Sequence, residues 1–265
     1  MKIALGQMHI RWEDKTANLD RVENWMELLK EKNVDLFTLP EMSLTGFSMH
    51  TELTKETDKI TVAEAEKLAR NYQMAVGIGW VKDEGKFCEN RYSIVTPEGE
   101  ILEYTKLHPF SYSGEDQYFQ GGTVLPVCEY RGYHLGVQIC YDLRFPETFQ
   151  ALSRQADLIL VPANWPGRRR EHWISLLQAR AIENQCYIAG VNCVGDMDGQ
   201  TYTGDSRLYG PDGALCSGET LMPADAQPGE CAFIYEIDDQ VKKVRTQFPV
   251  KKDRRDALYR QFYEI

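Results

Sequence analysis

The chain has 265 residues, of which 43% are hydrophobic and 26% are charged, a composition typical of a globular protein with a sizeable core. Its formal net charge of -10 argues against a nucleic-acid backbone as the partner. No stretch approaches the roughly 18 consecutive apolar residues of a membrane-spanning helix, so no membrane partner is expected.

The amino terminus and the cysteines bear on the compartment. Residues 1–7 are strand-like and lack the layout of a signal peptide. The seven cysteines include no Cys-x-x-Cys pair and no cluster with zinc-finger spacing, so no metal site is expected. An odd number of scattered cysteines without a signal peptide predicts reduced thiols and a cytoplasmic location.

The first half of the chain is predicted to alternate strands with helices. Strands are expected at residues 2–8, 34–39, 74–81, 91–96 and 101–105. Helices are expected at residues 15–32, where apolar side chains follow the helical period, and at about 62–72. The last two strands form a hairpin across the turn Pro97-Glu98-Gly99-Glu100.

The second half repeats this order. Strands are predicted at residues 134–140, 157–162 and 186–194, and helices at residues 146–155 and 170–183. A second hairpin follows at Pro211-Asp212-Gly213. The repeated order predicts a pseudo-duplicated α/β protein.

Two halves rich in strand–helix–strand units predict two mixed sheets, each with an apolar face to cover. The simplest solution packs sheet on sheet with helices outside, a four-layer α-β-β-α sandwich. No linker composition interrupts the chain, so residues 1–265 are expected to form a single domain. Residues 239–265 are rich in Lys and Arg and too polar for the core, which predicts a C-terminal surface arm or subunit contact.

Residues 136–147 are notable because an apolar strand pattern ends abruptly at Cys140. Charged residues follow, and then Pro146, which suits the first turn of a helix. A helix starting there would direct its positive end at the sulfur and lower the pKa of the Cys140 thiol. The alternative is an ordinary buried core cysteine. This stretch alone does not distinguish the two.

Three candidate functional residues follow three different predicted strands: Glu41, Lys106 and Cys140. The carboxyl ends of parallel strands are where α/β proteins gather functional groups. A single Glu or Lys at a strand end is usually a solvated surface charge. Here, however, Glu41 precedes the largely apolar residues 42–47 and Lys106 precedes Leu107, so both are expected to be partly buried.

Such a set is suited to acyl transfer from an amide. The sulfur of Cys140 attacks the carbonyl carbon, while Glu41 accepts the thiol proton and returns it to the departing amine. A cation and the backbone N–H of Tyr141 would hold the developing oxyanion. Water would then hydrolyse the thioester, with the same carboxylate as base.

Three motifs, Leu39-Pro40-Glu41, Lys106-Leu107-His108 and Cys140-Tyr141-Asp142-Leu143-Arg144-Phe145-Pro146, resemble the nitrilase superfamily of carbon–nitrogen hydrolases. The resemblance runs from about residue 2 to 255. It implies that Glu41 is the base, Lys106 the oxyanion-stabilising cation and Cys140 the nucleophile. The second glutamate of the family matches Glu115, which would position Lys106.

A further stretch resembles the omega-amidase branch of this family: Pro162-Ala163-Asn164-Trp165-Pro166, His172-Trp173 and residues 179–185. This implies a small-molecule substrate, the terminal amide of 2-oxoglutaramate or a related 2-oxo acid. Its carboxylate needs a cation, for which Arg144 is the candidate, with a structural salt bridge as the alternative. Asn164 and Trp165 would line the pocket, with a plain core position as the less favoured alternative for Trp165.

Several alternatives remain open at this point. The run Arg168-Arg169-Arg170 is interpreted as a solvated helix start, and His172 as a packing residue. Rival classes are a Cys–His hydrolase with His108, His134 or His172 as base, a non-catalytic binding protein on the same fold, and a subunit that transfers an acyl group or ammonia. Within the family, N-carbamoyl amino acids, aliphatic amides and, least favoured, nitriles are alternative substrates. The resemblance implies a homodimer and no metal or organic cofactor.

Overall fold

The computed structural model describes residues 1–264, which contain fifteen strands and seven α-helices. The strands are β1 Lys2–Gln7, β2 Leu36–Thr38, β3 Lys55–Glu56, β4 Ala75–Asp83, β5 Cys88–Thr96, β6 Gly99–Thr105, β7 Val127–Tyr130, β8 Tyr133–Val137, β9 Leu158–Ala163, β10 Tyr187–Asn192, β11 Val194–Met197, β12 Gln200–Thr203, β13 Arg207–Tyr209, β14 Glu219–Leu221 and β15 Cys231–Glu236. The helices are α1 Lys15–Lys30, α2 Thr51–Thr54, α3 Ile60–Tyr72, α4 Pro146–Leu152, α5 Arg170–Asn184, α6 Gln240–Gln247 and α7 Asp256–Tyr263.

The strands form two large mixed sheets. The first has the order β14-β15-β1-β2-β4-β5-β6, with β3 paired to the end of β4, and the second has the order β13-β10-β9-β8-β7. β1, β2 and β4 run parallel, as do β8, β9 and β10. Helices lie between these strands in both halves, so the predicted repeat of order is present.

Successive side chains of each strand point to opposite faces of its sheet, and this explains how the two sheets and the helices form layers. In β1, Leu5 points into the core between the sheets, whereas Ala4 points to the core under α1 and α3. In β9, Leu160 likewise faces the other sheet, and Ile159 faces α4 and α5. The result is the predicted α-β-β-α sandwich. Both sheets are buried on two faces, which is why their parallel strands are almost continuously apolar.

Two predicted strands end earlier than expected in places that shape the cavity described below. The strand predicted at residues 134–140 ends at Val137, and a 3-10 helix occupies Cys140–Arg144. The strand predicted at residues 186–194 ends at Asn192. After Cys193 the chain enters β11 and β12, which pair only with each other as a separate hairpin.

The C-terminal residues lie on the surface of the second half of the chain. Arg245 joins them to it, donating to the carbonyl oxygens of Gln185, Ser153 and Ala156 at 3.0, 3.1 and 3.0 Å. Further along, α7 leaves Phe262 exposed. Residues 239–264 therefore pack through Arg245, which donates to main-chain oxygens, and through Val241, which is buried in the core between the sheets.

Among residues 1–264, no helix has the length and hydropathy required to cross a bilayer.

Candidate active site

Glu41, Lys106 and Cys140 line one cavity of about 200 Å³. The first two follow β2 and β6 in the first sheet, and the third follows β8 in the second. The parallel strands of each sheet direct their carboxyl ends to the same edge, and face-to-face packing brings the two edges together. The structure thus places side by side three residues that the sequence separates widely.

A close approach of two main chains positions Glu41. At Gly79 of β4, an added Cβ would lie 2.4 Å from the backbone nitrogen of Met42, so only glycine lets the segment after Glu41 pack here. Ser43 fixes the segment further, because its Oγ accepts a hydrogen bond from the Gly79 N–H at 2.8 Å and its own N–H donates to the Gly79 carbonyl at 3.1 Å. Glu41 is 1% exposed.

Lys106 is buried between two carboxylates. Its Nζ lies 2.8 Å from Glu41 Oε1 and 2.8 Å from Glu115 Oε2. Burial by itself would lower the pKa of Lys106, but attraction from Glu115 and Glu41 outweighs it and raises the pKa above its usual value. Lys106 is therefore an ammonium ion at neutral pH.

Glu115, rather than its neighbour Asp116, reaches this cluster. A short 3-10 turn, Glu115–Gln117, buries Glu115 completely and leaves Asp116 exposed. Glu115 Oε2 also accepts from the N–H of Phe110 at 2.5 Å. Burial raises the pKa of Glu115, Lys106 opposes this shift, and the charge of Glu41 adds to it. The geometry suits the predicted positioning of Lys106.

The environment of Cys140 contradicts one sequence-based expectation. Burial and the Glu41 carboxylate raise the pKa of the Cys140 thiol well above its usual value, and Lys106 only partly offsets them. The predicted lowering by a helix is absent because Cys140 starts a 3-10 helix of five residues, with φ +44°, and α4 begins only at Pro146. A short 3-10 turn has a weak dipole. The resting thiol keeps its proton.

Asp142, which the sequence did not single out as functional, fixes the turn that carries Cys140. Its Oδ2 accepts from the N–H of Ile139 at 2.9 Å and from the hydroxyl of Tyr104 at 2.7 Å. Its Oδ1 accepts from the N–H of His108 at 3.0 Å. Buried carboxylates with several donors are strongly held. Asp142 therefore links the segment after β6 to the segment after β8.

Each of the three histidines offered as an alternative base lies outside the cavity lining. His108 Nδ1 lies 2.7 Å from Asp142 Oδ1, and its ring stacks on Phe145. His134 is exposed and lies beside Asp157, at 3.2 Å. The prediction that His172 is a packing residue was wrong. Its ring is exposed, with Nδ1 3.3 Å from an Arg144 nitrogen.

Tyr141, which follows the nucleophile candidate, lines the cavity, and its backbone N–H is the predicted oxyanion donor. Within residues 1–264 it makes no hydrogen bond to another protein group. Asn164 both lines the cavity and holds Glu41, since its N–H donates to Glu41 Oε2 at 3.0 Å and its Nδ2 to the Glu41 carbonyl at 2.6 Å. Trp165 lines the cavity while only 3% exposed, so it serves wall and core together.

The arginine run divides between solvent and cavity. Arg170 pairs with Asp205 at 2.7 Å on the exposed side, as a solvated helix start should. Arg168 and Arg169 line the cavity together with Arg144. Arg168 is exposed, as a solvated run requires, whereas Arg169 is half-buried, so the interpretation of the run as solvated was wrong for Arg169. Arg168 and Arg169 belong to the 3-10 turn Gly167–Arg169 that precedes α5, and this turn places them at the cavity.

Arg144 has no acidic partner among the described residues, so the structural salt bridge considered for it is absent. Its guanidinium lies 4.8 Å from the Trp165 ring centre. Burial lowers the pKa of Arg144, and repulsion from Arg169 adds to this. Arg144 and Arg169 both line the cavity and neither forms an ion pair within residues 1–264, which makes them available to an anionic group, although Asp198 lines the same cavity.

Two further cavity walls were not predicted. The β11–β12 hairpin contributes Asp198, Gln200 and Tyr202, and the loop after Glu41 contributes Phe47 and Met49. The prediction of a single strand over residues 186–194 missed the break at Cys193, and therefore the β11–β12 hairpin. The closely spaced Gly195 and Gly199 were the available signal of a turn in the sequence. In the structure both have a positive φ.

Comparison with known proteins gives one consistent result. The carbon-nitrogen hydrolase family model matches residues 2–242. The chain is 35% identical over 258 residues to the omega-amidase YafV of Yersinia enterocolitica, covering 96% of both chains. It is 32% identical over 263 residues to the 2-oxoglutaramate amidase of Bacillus subtilis strain 168, covering 97% of this chain and 98% of that one.

A solved structure agrees. XC1258 from Xanthomonas campestris, a CN-hydrolase superfamily protein crystallised with an arsenic adduct in its active site, superimposes with a TM-score of 0.86 at 31% identity, covering 96% of this chain and 97% of that chain. Saccharomyces cerevisiae Nit3 shares the fold, with a TM-score of 0.83 at 24% identity over 96% of each chain.

Proposed function

This chain belongs to the carbon-nitrogen hydrolase family and is an amidase, and we propose that it hydrolyses a small omega-amide that carries a carboxylate, such as 2-oxoglutaramate, to the acid and ammonia through a cysteine thioester. The observation that carries the proposal is the shared cavity. Cys140, Glu41 and Lys106 line it, and so does the guanidinium-bearing side chain of Arg144, which forms no ion pair within residues 1–264.

The first half-reaction forms the thioester. Cys140 Sγ bonds to the amide carbon while its proton passes to Glu41, and the carbonyl oxygen takes up the negative charge. Lys106 and the Tyr141 N–H stabilise this oxyanion, a contribution of roughly 3–4 kcal/mol for each donor of this kind. Glu41 then gives the proton to the nitrogen, the carbon–nitrogen bond breaks, and ammonia leaves.

The second half-reaction uses the same base. Glu41 takes a proton from water as the water oxygen bonds to the thioester carbon. The carbon–sulfur bond breaks, the sulfur recovers the proton from Glu41, and the carboxylic acid is released. The enzyme returns to a neutral thiol beside an ionised carboxylate.

The raised pKa of the Cys140 thiol supports this role for Glu41. A thiol that stays protonated at neutral pH needs a base in direct contact at the moment of attack. Glu41 is that neighbour, and the three histidines outside the cavity are not. Lys106, held as an ammonium ion, keeps the charge of Glu41 and Glu115 compensated in a buried site.

The proposal that the substrate carries a carboxylate rests on the cations Arg144 and Arg169. Arg144 and Arg169 repel each other across the cavity, and a substrate carboxylate would relieve that repulsion. The stacking of Arg144 on Trp165 holds its planar fork in one orientation, which suits two-point recognition of a carboxylate. The names of the relatives, omega-amidase and 2-oxoglutaramate amidase, support the same class.

The test is ammonia release from a panel of 2-oxoglutaramate, glutamine, an N-carbamoyl amino acid, a neutral aliphatic amide and a nitrile. We expect the highest kcat/KM with 2-oxoglutaramate and no release by Cys140→Ala. Higher kcat/KM with the neutral amide or the carbamoyl compound would reject the substrate class and leave the proposed triad in place. Turnover by Cys140→Ala would reject the thioester.

The assembly and location are also proposals. We expect a cytoplasmic homodimer, on the family resemblance and on seven cysteines that, within the described residues, form no disulfide. Light scattering during size-exclusion chromatography would check the dimer, and a single-chain mass would reject it.

A further inference from the structure

Asn90, on β5, contacts both carboxylates that flank Lys106. It is 1% exposed, and its side-chain nitrogen lies 2.8 Å from Glu41 Oε1 and 3.1 Å from Glu115 Oε1. An amide nitrogen carries two hydrogens, so one can be donated to each carboxylate. A single side chain therefore bridges the two acidic groups of the cluster.

The orientation of this amide follows from chemistry. Turning it over would place Asn90 Oδ1 against two carboxylate oxygens, which only accept hydrogen bonds. In the observed orientation Oδ1 is buried and has no partner within residues 1–264. An unsatisfied buried acceptor is costly. A leucine of nearly the same shape would avoid that cost, so the donors rather than packing explain an amide at this position.

The main chain of Asn90 reaches the same cluster. Its carbonyl oxygen accepts from the Lys106 N–H at 2.9 Å, which fixes the residue after β6 against β5. Through main chain and side chain together, Asn90 contacts Lys106, Glu41 and Glu115. It adds two donors without adding charge to a buried site that already holds two carboxylates and one ammonium ion.

The hydrogen-bond donors around Glu41 determine which of its two oxygens has a free acceptor site. Glu41 Oε1 accepts from both Asn90 and Lys106, whereas Oε2 accepts from the N–H of Asn164. A carboxylate oxygen has two in-plane acceptor sites. With Oε1 filled, the free site on Oε2 is the one left for the proton of Cys140.

We propose that Asn90 is a positioning residue, which locks the Glu41 carboxylate in the rotamer that presents Oε2 to Cys140 and holds Glu41 and Glu115 together around Lys106. This inference rests on the proposed roles of Glu41 and Cys140. It assigns to Asn90 no contact with the substrate.

A pH effect follows from the loss of these donors. The titratable groups that face Glu41 are Lys106, Glu115 and Cys140, with Cys193 and Tyr202 further away. Hydrogen bonds to the ionised form of a carboxylate favour that form. Without Asn90 the carboxyl of Glu115, whose pKa burial already raises, takes up a proton more readily, so the acid limb of the pH–rate profile moves to higher pH.

The experiment compares Asn90→Leu with Asn184→Leu. Asn184 is an equally buried asparagine at the end of α5, bonded to Ser153 and to the Arg180 carbonyl and absent from the cavity lining. With the best amide of the panel, we expect Asn90→Leu to lower kcat roughly tenfold to a hundredfold, as loss of charge-assisted hydrogen bonds does, with KM nearly unchanged. Asn184→Leu should lower the melting temperature but leave kcat and the pH limb in place.

A second variant and a second readout keep the test decisive. Asn90→Ser is the substitute if Asn90→Leu does not fold. Its side chain is smaller and too short to reach both carboxylates, so it should show the same shift of the acid limb. Infrared titration of the protonated carboxyl band, assigned by its loss in Glu115→Gln, needs no substrate. We expect this band to appear at higher pH in the Asn90 variants than in the wild type.

Three results would overturn the role of Asn90: an unchanged acid limb, an unchanged carboxyl band, or a kcat loss in Asn90→Leu no greater than in Asn184→Leu. Failure of the wild type to hydrolyse the panel amides would overturn the proposed substrate instead. The infrared titration would still decide the role of Asn90.

Discussion

The hydroxyl of Tyr104 donates to Asp142 Oδ2 at 2.7 Å, and this bond joins β6, which leads to Lys106, with the turn that begins at Cys140. The N–H of His108 also donates to Asp142, at 3.0 Å, and the surrounding contacts between the two sheets are apolar and not directional. A hydrogen bond to a buried carboxylate is directional, so it sets the distance between the two catalytic candidates.

Tyr104→Phe should therefore impair catalysis as well as stability. Loss of a hydrogen bond to a charged group costs about 1.5–3 kcal/mol of unfolding free energy, and the Cys140 turn loses one of its anchors. We expect both the melting temperature and kcat to fall. Tyr187→Phe is the matched control, since Tyr187 donates to Asp238 at the same 2.7 Å. It should lose stability only, and an equal loss of kcat in the two variants would contradict the coupling.

Glu41→Gln should separate turnover from thiol reactivity. Removing a general base costs typically a hundredfold to ten-thousandfold in rate, so ammonia release should collapse. The Glu41 carboxylate also helps to raise the pKa of the Cys140 thiol, so its removal should lower that pKa and increase the thiolate fraction at neutral pH. Iodoacetamide should then label Cys140 faster in Glu41→Gln than in the wild type. Peptide mass spectrometry measures the rate, and slower labelling would refute this account of the thiol.

Lys106→Met should destabilise the protein much more than the corresponding change at the surface. It leaves Glu41 and Glu115 buried without a counter-ion, and breaking a buried ion pair typically costs about 3–5 kcal/mol. Because the pKa of Lys106 is raised, its stabilisation is complete below the usual lysine pKa of about 10.4 and is lost only as pH rises through the folded value. Urea unfolding at pH 7 measures the full effect.

Lys59→Met is the matched control for this change. Lys59 also lies between two glutamates, Glu100 and Glu103, but its side chain is 40% exposed. Ion pairs in contact with water contribute about 0–1 kcal/mol. If the two variants lose similar unfolding free energy, burial is not what makes the Lys106 cluster important.

Arg144→Gln tests the proposed carboxylate contact. Removing the cation should raise KM for 2-oxoglutaramate roughly tenfold to a hundredfold, because a charge-assisted bidentate pair is lost, and should leave kcat/KM for a neutral amide unchanged. Arg170→Gln is the control, since Arg170 pairs with Asp205 outside the cavity. An equal rise in KM for the charged and neutral amides would show that Arg144 shapes the pocket without binding a carboxylate.

Much of the fold was predictable because burial imposes a period on the sequence. The helix predicted at residues 15–32 is found at Lys15–Lys30, with Val22, Trp25, Met26 and Leu29 buried. The strand boundaries were less predictable. β8 ends before Cys140, and β10 ends before Cys193, because the edge of a sheet is set by its partner strands and not by local composition.

The sequence by itself determined which residues were candidates. Glu41, Lys106 and Cys140 each follow a strand-like run, and parallel strands bring such positions to one edge whatever the details of packing. The sequence also determined the α-β-β-α layering, since two sets of apolar parallel strands need cover on both faces.

Only the tertiary structure decided how the site works. The pKa of the Cys140 thiol is raised because burial and a carboxylate far away in sequence outweigh a short turn, which no local pattern shows. Asn90 is an ordinary polar residue in a strand until β5 brings it against Glu41 and Glu115. Charge interactions and hydrogen bonds act over a few ångströms in space, so their sign and strength depend on packing and not on spacing along the chain.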